Sequence, residues 1–393
     1  MNYKIDKSNA AALAYSNKPK FIAGVTGTDG KTSIAWKTYM LWKYSGKKCA
    51  YMGTLGLYNN CNVKIESYKL KNMTTFDSFV IHEILHKLAE AKVQYVVIEA
   101  SSIGLHQKRL LNVKFDVAVW STFSSEHLDY HHTIENYRNA KLKILQHLKS
   151  QAPFFFHYKL DDKCKREIYK YKYSQEYGKK CYIENNILTW RNSKHMINLQ
   201  NSISFYQNNL LAALHICETS KIQIKDLIPH LNINVPGRMQ TVTLHNKLFM
   251  IDYAHTPQAI KSLLSQIKAK YKKIAVITGC GGHRYTAKQY RSEFINKRQK
   301  IGKVLQKYAD ISIITDDNVR TESASQIRSD ILSQCTGIEI PSRACAIYYA
   351  LHLNVNIVLI IGKGDERNQI YGNTLNTFHD LSVLQSLAKF YKM

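Results

Sequence analysis

Short apolar, β-branched runs alternate with stretches of helical spacing along most of the chain, the signature of βαβ units around a parallel sheet. Residues 22–25 predict a strand, and the positions from Lys31 to Tyr44 predict a helix behind a glycine loop. DSFVIHEILHKLAEAKV (77–93) carries apolar residues at helical spacing, and QYVVIEA (94–100) predicts a buried strand directly after it. FDVAVWST (115–122) predicts the next strand and IENYRNAKLKILQHL (134–148) the next helix. The pattern weakens over residues 153–197 into short strands and basic loops, and NNLLAALHICE (208–218) and IKDLIPHL (224–231) predict two further helices. A second series follows VPGRM: strand LFMIDYA, a helix from Pro257, strand KIAVITG, helix KIGKVLQKYA, and strands ISIIT and NIVLIIG. Pro236 and Gly237 interrupt the pattern, so a boundary is expected near residues 234–236. The fold class expected is α/β: a central P-loop ATPase-type parallel-sheet domain plus a C-terminal Rossmann-like domain, with a ligand held between them.

Length and composition fit that reading: 393 residues with 45% hydrophobic and 21% charged positions suffice for two or three globular domains. No stretch approaches a membrane span, and the first twenty residues have no apolar signal core, so a cytoplasmic protein without membrane insertion is expected. The eight cysteines are scattered with no C-x-x-C pair, which argues against a disulfide framework or zinc ribbon. Net charge is +26, but the lysines spread along the whole chain rather than forming a basic arm. A solvated basic surface that favours anionic substrates explains the charge better than a nucleic-acid site.

Four features carry chemistry. GVTGTDGKTS (24–33) has the glycines that let backbone N–H groups curl around phosphates, with Lys31 to reach the outer phosphates and Thr32 to ligate Mg²⁺. It misses the general G-x-x-x-x-G-K-[ST] spacing at Val25. Glu99 ends a strand where a carboxylate is placed to share that metal. SEHLDYHHTIENYRNAK crowds His127, Asp129 and His131 at a strand exit, with Lys141 on the next helix. In the second series, four polar loops each follow an apolar strand: IDYAHTP (Asp252, His255), TGCGGHR (Arg284), TDDNVRTE (Asp317, Asn318, Arg320) and IGKGDE (Lys363, Glu366). Together they predict a substrate mouth.

With GVTGTDGKTS, TTFDS, IEASS, EHLDYH, PGRM, DYAHTP, GCGG, TDDNVR and GKG in order, the chain resembles the Mur ligase family. Within the family it is similar to the branch that joins 2,6-diaminopimelate to UDP-N-acetylmuramoyl-L-alanyl-D-glutamate. The family loop G-x-x-G-x-x-G-K-T is met by Gly24, Gly27, Gly30, Lys31 and Thr32, so the resemblance makes this stretch an ATP loop. It implies ATP and Mg²⁺ as cofactors, with Gly27, Thr28, Asp29, Gly30, Lys31, Thr32, Ser33, Asn209, Arg238 and Asp252 on the nucleotide. It implies Thr32, Glu99, His127 and a carbamylated Lys141 on metal, and Lys31, Glu99, His127 and Lys141 as the catalytic set. Thr74, Thr75, Ser102, Gln107 and Arg109 match acceptor-binding positions, and Arg284, Asp317, Asn318, Arg320, Gly362 and Glu366 match positions that grip the diamino acid.

The implied reaction is ATP-dependent amide-bond formation through an acyl phosphate, in peptidoglycan synthesis, with a muramoyl peptide and diaminopimelate as small-molecule partners. The implied domains are 1–19, a short N-terminal remnant; 20–234, a central ATP-binding domain; and 235–393, an amino-acid-binding domain. Only about twenty residues precede the loop where family members carry a uridine-binding domain, so a separate uridine-binding partner is one expectation. A ligase acting on a non-UDP carboxylate acceptor and a decayed ATP-binding protein are the alternatives. The chain departs from the family pattern at Asp29, Phe76, Ile103, Thr122, Glu126, Tyr206, His283, Val319 and Asp365, and residues 285–296 look inserted.

Overall fold

The computed structural model describes residues 9–64, 73–199, 203–244, 246–282 and 291–390. It divides into two compact units, residues 1–233 and 234–393. Among the described residues, no helix is long and apolar enough to cross a membrane.

In the first unit the elements run β1 (Phe21–Thr26), α1 (Lys31–Tyr44), β2 (Cys49–Gly53), β3 (Gly56–Asn59), α2 (Ser78–Glu90), β4 (Tyr95–Glu99), α3 (Ser102–His106), β5 (Val117–Trp120), α4 (Leu128–His131) and α5 (Ile134–Leu142). They continue with β6 (Phe154–His157), α6 (Asp162–Tyr169), β7 (Ser174–Tyr177), β8 (Tyr182–Glu184), β9 (Ile187–Trp190), β10 (Ser193–Met196), α7 (Ser204–Thr219) and α8 (Ile224–Leu227). The main sheet has the order β3-β2-β4-β1-β5-β6-β7, parallel except for the β2–β3 hairpin, and β10-β9-β8 form a small antiparallel sheet. Central strands buried on both faces read as continuous apolar runs, as in β5 (VAVW) and β4 (YVVIE). Phe115, Trp120, Phe154, Ile98 and Leu85 are among the side chains that close the core on one face; each such side chain stabilises by about 1.5–3 kcal/mol relative to exposure. From β1 the chain crosses to β2 on one side and later places β5 on the other. The β1 loop therefore opens where strand order reverses, the usual ligand crevice of such sheets.

The second unit runs β11 (Gln240–Leu244), β12 (Lys247–Asp252), α9 (Pro257–Lys268), β13 (Ile274–Thr278), α10 (Arg291–Tyr308), β14 (Ile311–Ile314), α11 (Ala324–Leu332), β15 (Ile338–Glu339), α12 (Arg343–Ala350), β16 (Ile357–Ile361), β17 (Asn368–Tyr371), β18 (Thr374–Thr377) and α13 (Asp380–Phe390). Its sheet has the order β11-β12-β16-β13-β14-β15, parallel but for β11, and β17–β18 form a separate hairpin. Both units thus have the α/β, parallel-rich architecture that the sequence pattern predicts.

The differences are local. The helix expected over residues 134–148 ends at Leu142 and tightens into a 3₁₀ turn, Lys143–His147. The helix expected from Lys300 begins at Arg291. The interior strand β2, the short edge elements β3, β11, β15, β17 and β18, and the helices α3, α4, α6, α11, α12 and α13 have no counterpart among the expected elements.

Candidate active site

The loop between β1 and α1 is built so that side chains cannot intrude. Gly27 (φ 147°) and Gly30 (φ 89°) sit in backbone conformations that favour glycine. A Cβ at Gly27 would lie 1.9 Å from Ser121 Oγ, and one at Gly30 would lie 2.6 Å from Asn209 Oδ1 on α7. No side chain caps the start of α1 at Gly30, so its first N–H groups are available to an anion in the loop. Lys31 and Thr32 open that helix with Ser33 beside them. Lys31 Nζ donates to the carbonyls of Gly27 (2.9 Å) and Thr28 (2.8 Å). Lys141 Nζ donates to the same Gly27 carbonyl at 2.6 Å. Two lysine nitrogens thus converge on one oxygen of the loop.

At the end of β4, Glu99 is completely buried. Its Oε2 accepts from Thr32 Oγ1 and from Thr54 Oγ1, both at 3.0 Å. Its Oε1 accepts from Thr54 N at 3.1 Å and from the Tyr51 hydroxyl. Thr32 and Glu99 offer a hydroxyl and a carboxylate oxygen, the hard donors that Mg²⁺ takes when water and phosphate oxygens complete its shell, so these residues fit the metal. Among the described residues, no three His, Cys, Asp or Glu side chains gather as a metal cage.

Tyr137, on the same face of α5 as Lys141, ties this region together and was not singled out from the sequence. Its hydroxyl lies 3.0 Å from Thr28 Oγ1, its ring faces Lys141 Nζ at 4.6 Å, and it stacks on Phe123. The i, i+4 spacing of Tyr137 and Lys141 is a signal that reveals it. Lys141 is buried, and that burial, followed by the charge of Lys31, holds its pKa well below the ordinary lysine value. His127 opens α4 with φ 55°, its Nε2 3.7 Å from Glu126 Oε2. Desolvation, opposed by Glu126 and aided by Lys31 and Lys141, lowers its pKa to about 4. His131 parts from it: its Nε2 meets Ser102 Oγ at 3.0 Å.

The remaining first-unit candidates adjoin Glu99. Thr75 Oγ1 donates to the Glu99 carbonyl at 2.8 Å, and Thr74 Oγ1 lies 3.1 Å from Thr54 Oγ1. Arg109 donates to Thr75 O at 2.7 Å and to Gln107 Oε1, while Gln107 Nε2 donates to the Tyr130 hydroxyl at 3.1 Å. Two departures from the family pattern touch each other, since Asp29 N donates to Thr122 Oγ1 at 2.9 Å. Phe76 fills the core.

In the second unit, the loops after β12, β16, β13 and β14 leave four neighbouring strand ends. Asp252 accepts from Met239 N (2.9 Å) and Ala254 N (2.8 Å), and burial raises its pKa despite Arg238 nearby. The Arg238 guanidinium lies 4.0 Å from the Tyr253 ring. Asn318 Nδ2 donates to Glu366 Oε2 at 2.8 Å. Burial would raise the pKa of Asp317, but Lys363 and Arg343 outweigh it and hold the carboxyl below its ordinary value. Gly362 takes φ 112°, where a Cβ would come 3.1 Å from Asp317 Oδ2. Arg320 (φ 54°) turns its Nη1 toward the carbonyls of Gly282 and Asn318. Asp365 pairs with His379 at 3.3 Å. Arg284 and His283 lie outside the described residues.

Comparison with known proteins agrees with both units. The Mur ligase middle domain matches residues 25–241, and the Mur ligase glutamate ligase domain matches residues 237–364. A UDP-N-acetylmuramoyl-L-alanyl-D-glutamate–2,6-diaminopimelate ligase of Rickettsia montanensis is 34% identical over 406 residues, covering 97% of this chain and 82% of the relative. The enzyme of that name from Anaplasma marginale is 32% identical, covering 94% and 80%. A solved structure of a ligase with the same name aligns at TM-score 0.64 and 28% identity, over 98% of this chain and 82% of that one. The E. coli FolC complex with DHPP and ADP shares the fold, with TM-score 0.71 and 16% identity over 98% and 93% of the two chains. This chain therefore belongs to the Mur ligase family and carries both its middle and its glutamate ligase domains.

Proposed function

We propose that the chain is a cytoplasmic, ATP-dependent, ADP-forming ligase that joins meso-diaminopimelate to UDP-N-acetylmuramoyl-L-alanyl-D-glutamate in peptidoglycan synthesis. The observation that carries this is the 34% identity, over 97% of the chain, to ligases of that name. The γ-carboxylate of the acceptor attacks the terminal phosphorus of ATP, giving an acyl phosphate and ADP. An amine of diaminopimelate then attacks the acyl carbon, and inorganic phosphate leaves. The glycine loop and the start of α1 cradle the phosphates, with Lys31 on the outer ones. Thr32 and Glu99 would hold Mg²⁺, which would supply positive charge against the charge that gathers there. Thr74, Thr75, Ser102, Gln107 and Arg109 hold the acceptor; Asp317, Asn318, Arg320 and Glu366 take the diamino acid.

The neutral amine that burial favours at Lys141 is the form that adds carbon dioxide, which supports its carbamylation. Arg320 suits the extra carboxylate that distinguishes diaminopimelate from lysine, because a guanidinium binds a carboxylate through two parallel hydrogen bonds.

The test is phosphate release with UDP-linked and UDP-free acceptors crossed against diaminopimelate, lysine and ornithine. Release that needs both the UDP-linked acceptor and diaminopimelate is expected. Release indifferent to either one would refute the assignment.

A further inference from the structure

Lys363 is one of the chemistry-bearing residues of IGKGDE for which the proposed reaction has no use. Its side chain is completely buried behind the loop that follows β16. Nζ donates to the Asn368 carbonyl at 2.7 Å, to Glu366 Oε2 at 3.2 Å and to Asn318 Oδ1 at 3.3 Å. A fourth neighbour, Asp317 Oδ1, lies 4.0 Å away. The ammonium therefore touches two side chains that the proposed reaction places on the diamino acid, together with the strand that begins the β17–β18 hairpin.

These contacts fix which way the Asn318 amide faces. Its Oδ1 accepts from Lys363 Nζ and from Ile370 N (3.1 Å), so Nδ2 must face Glu366 Oε2. Oε2 in turn accepts from both Nζ and Nδ2, while Oε1 accepts from the Tyr253 hydroxyl at 3.4 Å. A donating amide and an accepting carboxylate are thereby locked side by side, a polarity that matches the carboxylate and ammonium of an amino-acid head. Without the cation, Asn318 can flip and Glu366 can rotate, and the pair no longer presents a defined pattern.

We propose that Lys363 is the positioning residue of the amino-acid site, fixing Asn318 and Glu366 as a donor–acceptor pair for the zwitterionic head of the incoming substrate. This rests on the reading of the second unit as the amino-acid-binding one. It adds that affinity for the amino acid depends on a cation that does not touch it.

The test compares Lys363→Met with wild type in calorimetric binding of diaminopimelate and in phosphate release. Because removing a buried ammonium leaves Asp317 with less compensating charge, the double variant Asp317→Asn/Lys363→Met is measured alongside, against Asp317→Asn alone, since Asp317 is itself placed on the diamino acid. Expected between proteins that differ only at Lys363 are at least a tenfold weaker Kd and higher KM for diaminopimelate, with the KM for ATP within twofold and kcat within threefold. Glu366→Gln added to Lys363→Met should cost little more, because the two act as one unit. An unchanged Kd in either Lys363 variant, equal losses for ATP and diaminopimelate, or fully additive losses would overturn the proposal. Wild-type protein that binds diaminopimelate without releasing phosphate would refute the ligase assignment and leave the Kd comparison decisive; wild-type protein that does not bind it would overturn the positioning role as well.

Discussion

Glu99 shows how much of the site depends on residues that carry no catalytic motif. Its carboxylate is oriented by Tyr51, Thr54 and Thr32, and partners of this kind tune metal affinity by about 10–100-fold in characterised sites. Tyr51→Phe removes one donor and keeps the ring that packs on Trp36. It is expected to raise the Mg²⁺ concentration for half-maximal phosphate release about tenfold with little change in melting temperature, read from a metal titration. Glu99, Lys31 and Thr32 are legible in the sequence because a strand end and a glycine loop announce them. Tyr51 is not, since it sits inside an ordinary apolar strand, and nothing in GKGDE reveals that Lys363 is enclosed.

His215 makes a different prediction. It is buried between Phe155 and Trp190, and desolvation lowers its pKa to about 3. The unfolded ring titrates near 6.5, so its contribution to stability is intact above that value. It is lost as pH falls from 6.5 toward 3, where only the unfolded chain takes the proton. His215→Phe should flatten the fall in melting temperature between pH 7 and pH 4, as followed by circular dichroism.

At the scale of elements, strands followed by glycine or polar loops are readable, because buried parallel strands are uninterrupted apolar runs. The hairpin β17–β18 is not: β18 is exposed at all four positions and is held from outside its own sequence, by the pairing of β17 with the Arg320 segment. Helices α12 and α13 are likewise fixed by a feature without local signature, the fully buried pair of Arg343 and Asp380, with two bonds of 2.7 and 2.9 Å. Arg343 also donates to the Ile361 carbonyl at 3.1 Å, which ends β16 just before the Gly362 loop. Breaking such a pair by one change strands a charge and costs about 3–5 kcal/mol. Arg343→Leu should therefore lower the unfolding free energy by that amount in urea titrations, and Arg343→Leu/Asp380→Leu should recover most of it.

Across the whole molecule, the excess of 55 basic over 29 acidic side chains gives a positive field that draws in anions and is screened by salt over about 10 Å at 0.1 M. If the acceptor is the UDP-linked peptide, its kcat/KM should fall several-fold between 10 and 150 mM salt (roughly the range over which the screening length shrinks from 30 to 8 Å). That for zwitterionic diaminopimelate should change much less. Equal salt sensitivity for both substrates would count against electrostatic capture of the acceptor.

The shared grip of Lys31 and Lys141 on the Gly27 carbonyl has a thermal corollary. A loop that encloses a lysine amine beside a second lysine sacrifices robustness for readiness, as functional sites commonly do. Replacing the enclosed amine by an isosteric apolar chain, Lys141→Met, should yield a protein that withstands more heat than the parent yet has lost its turnover. Sulfate alone, by settling beside Lys31 and the first N–H groups of α1, should confer part of the same protection on the parent.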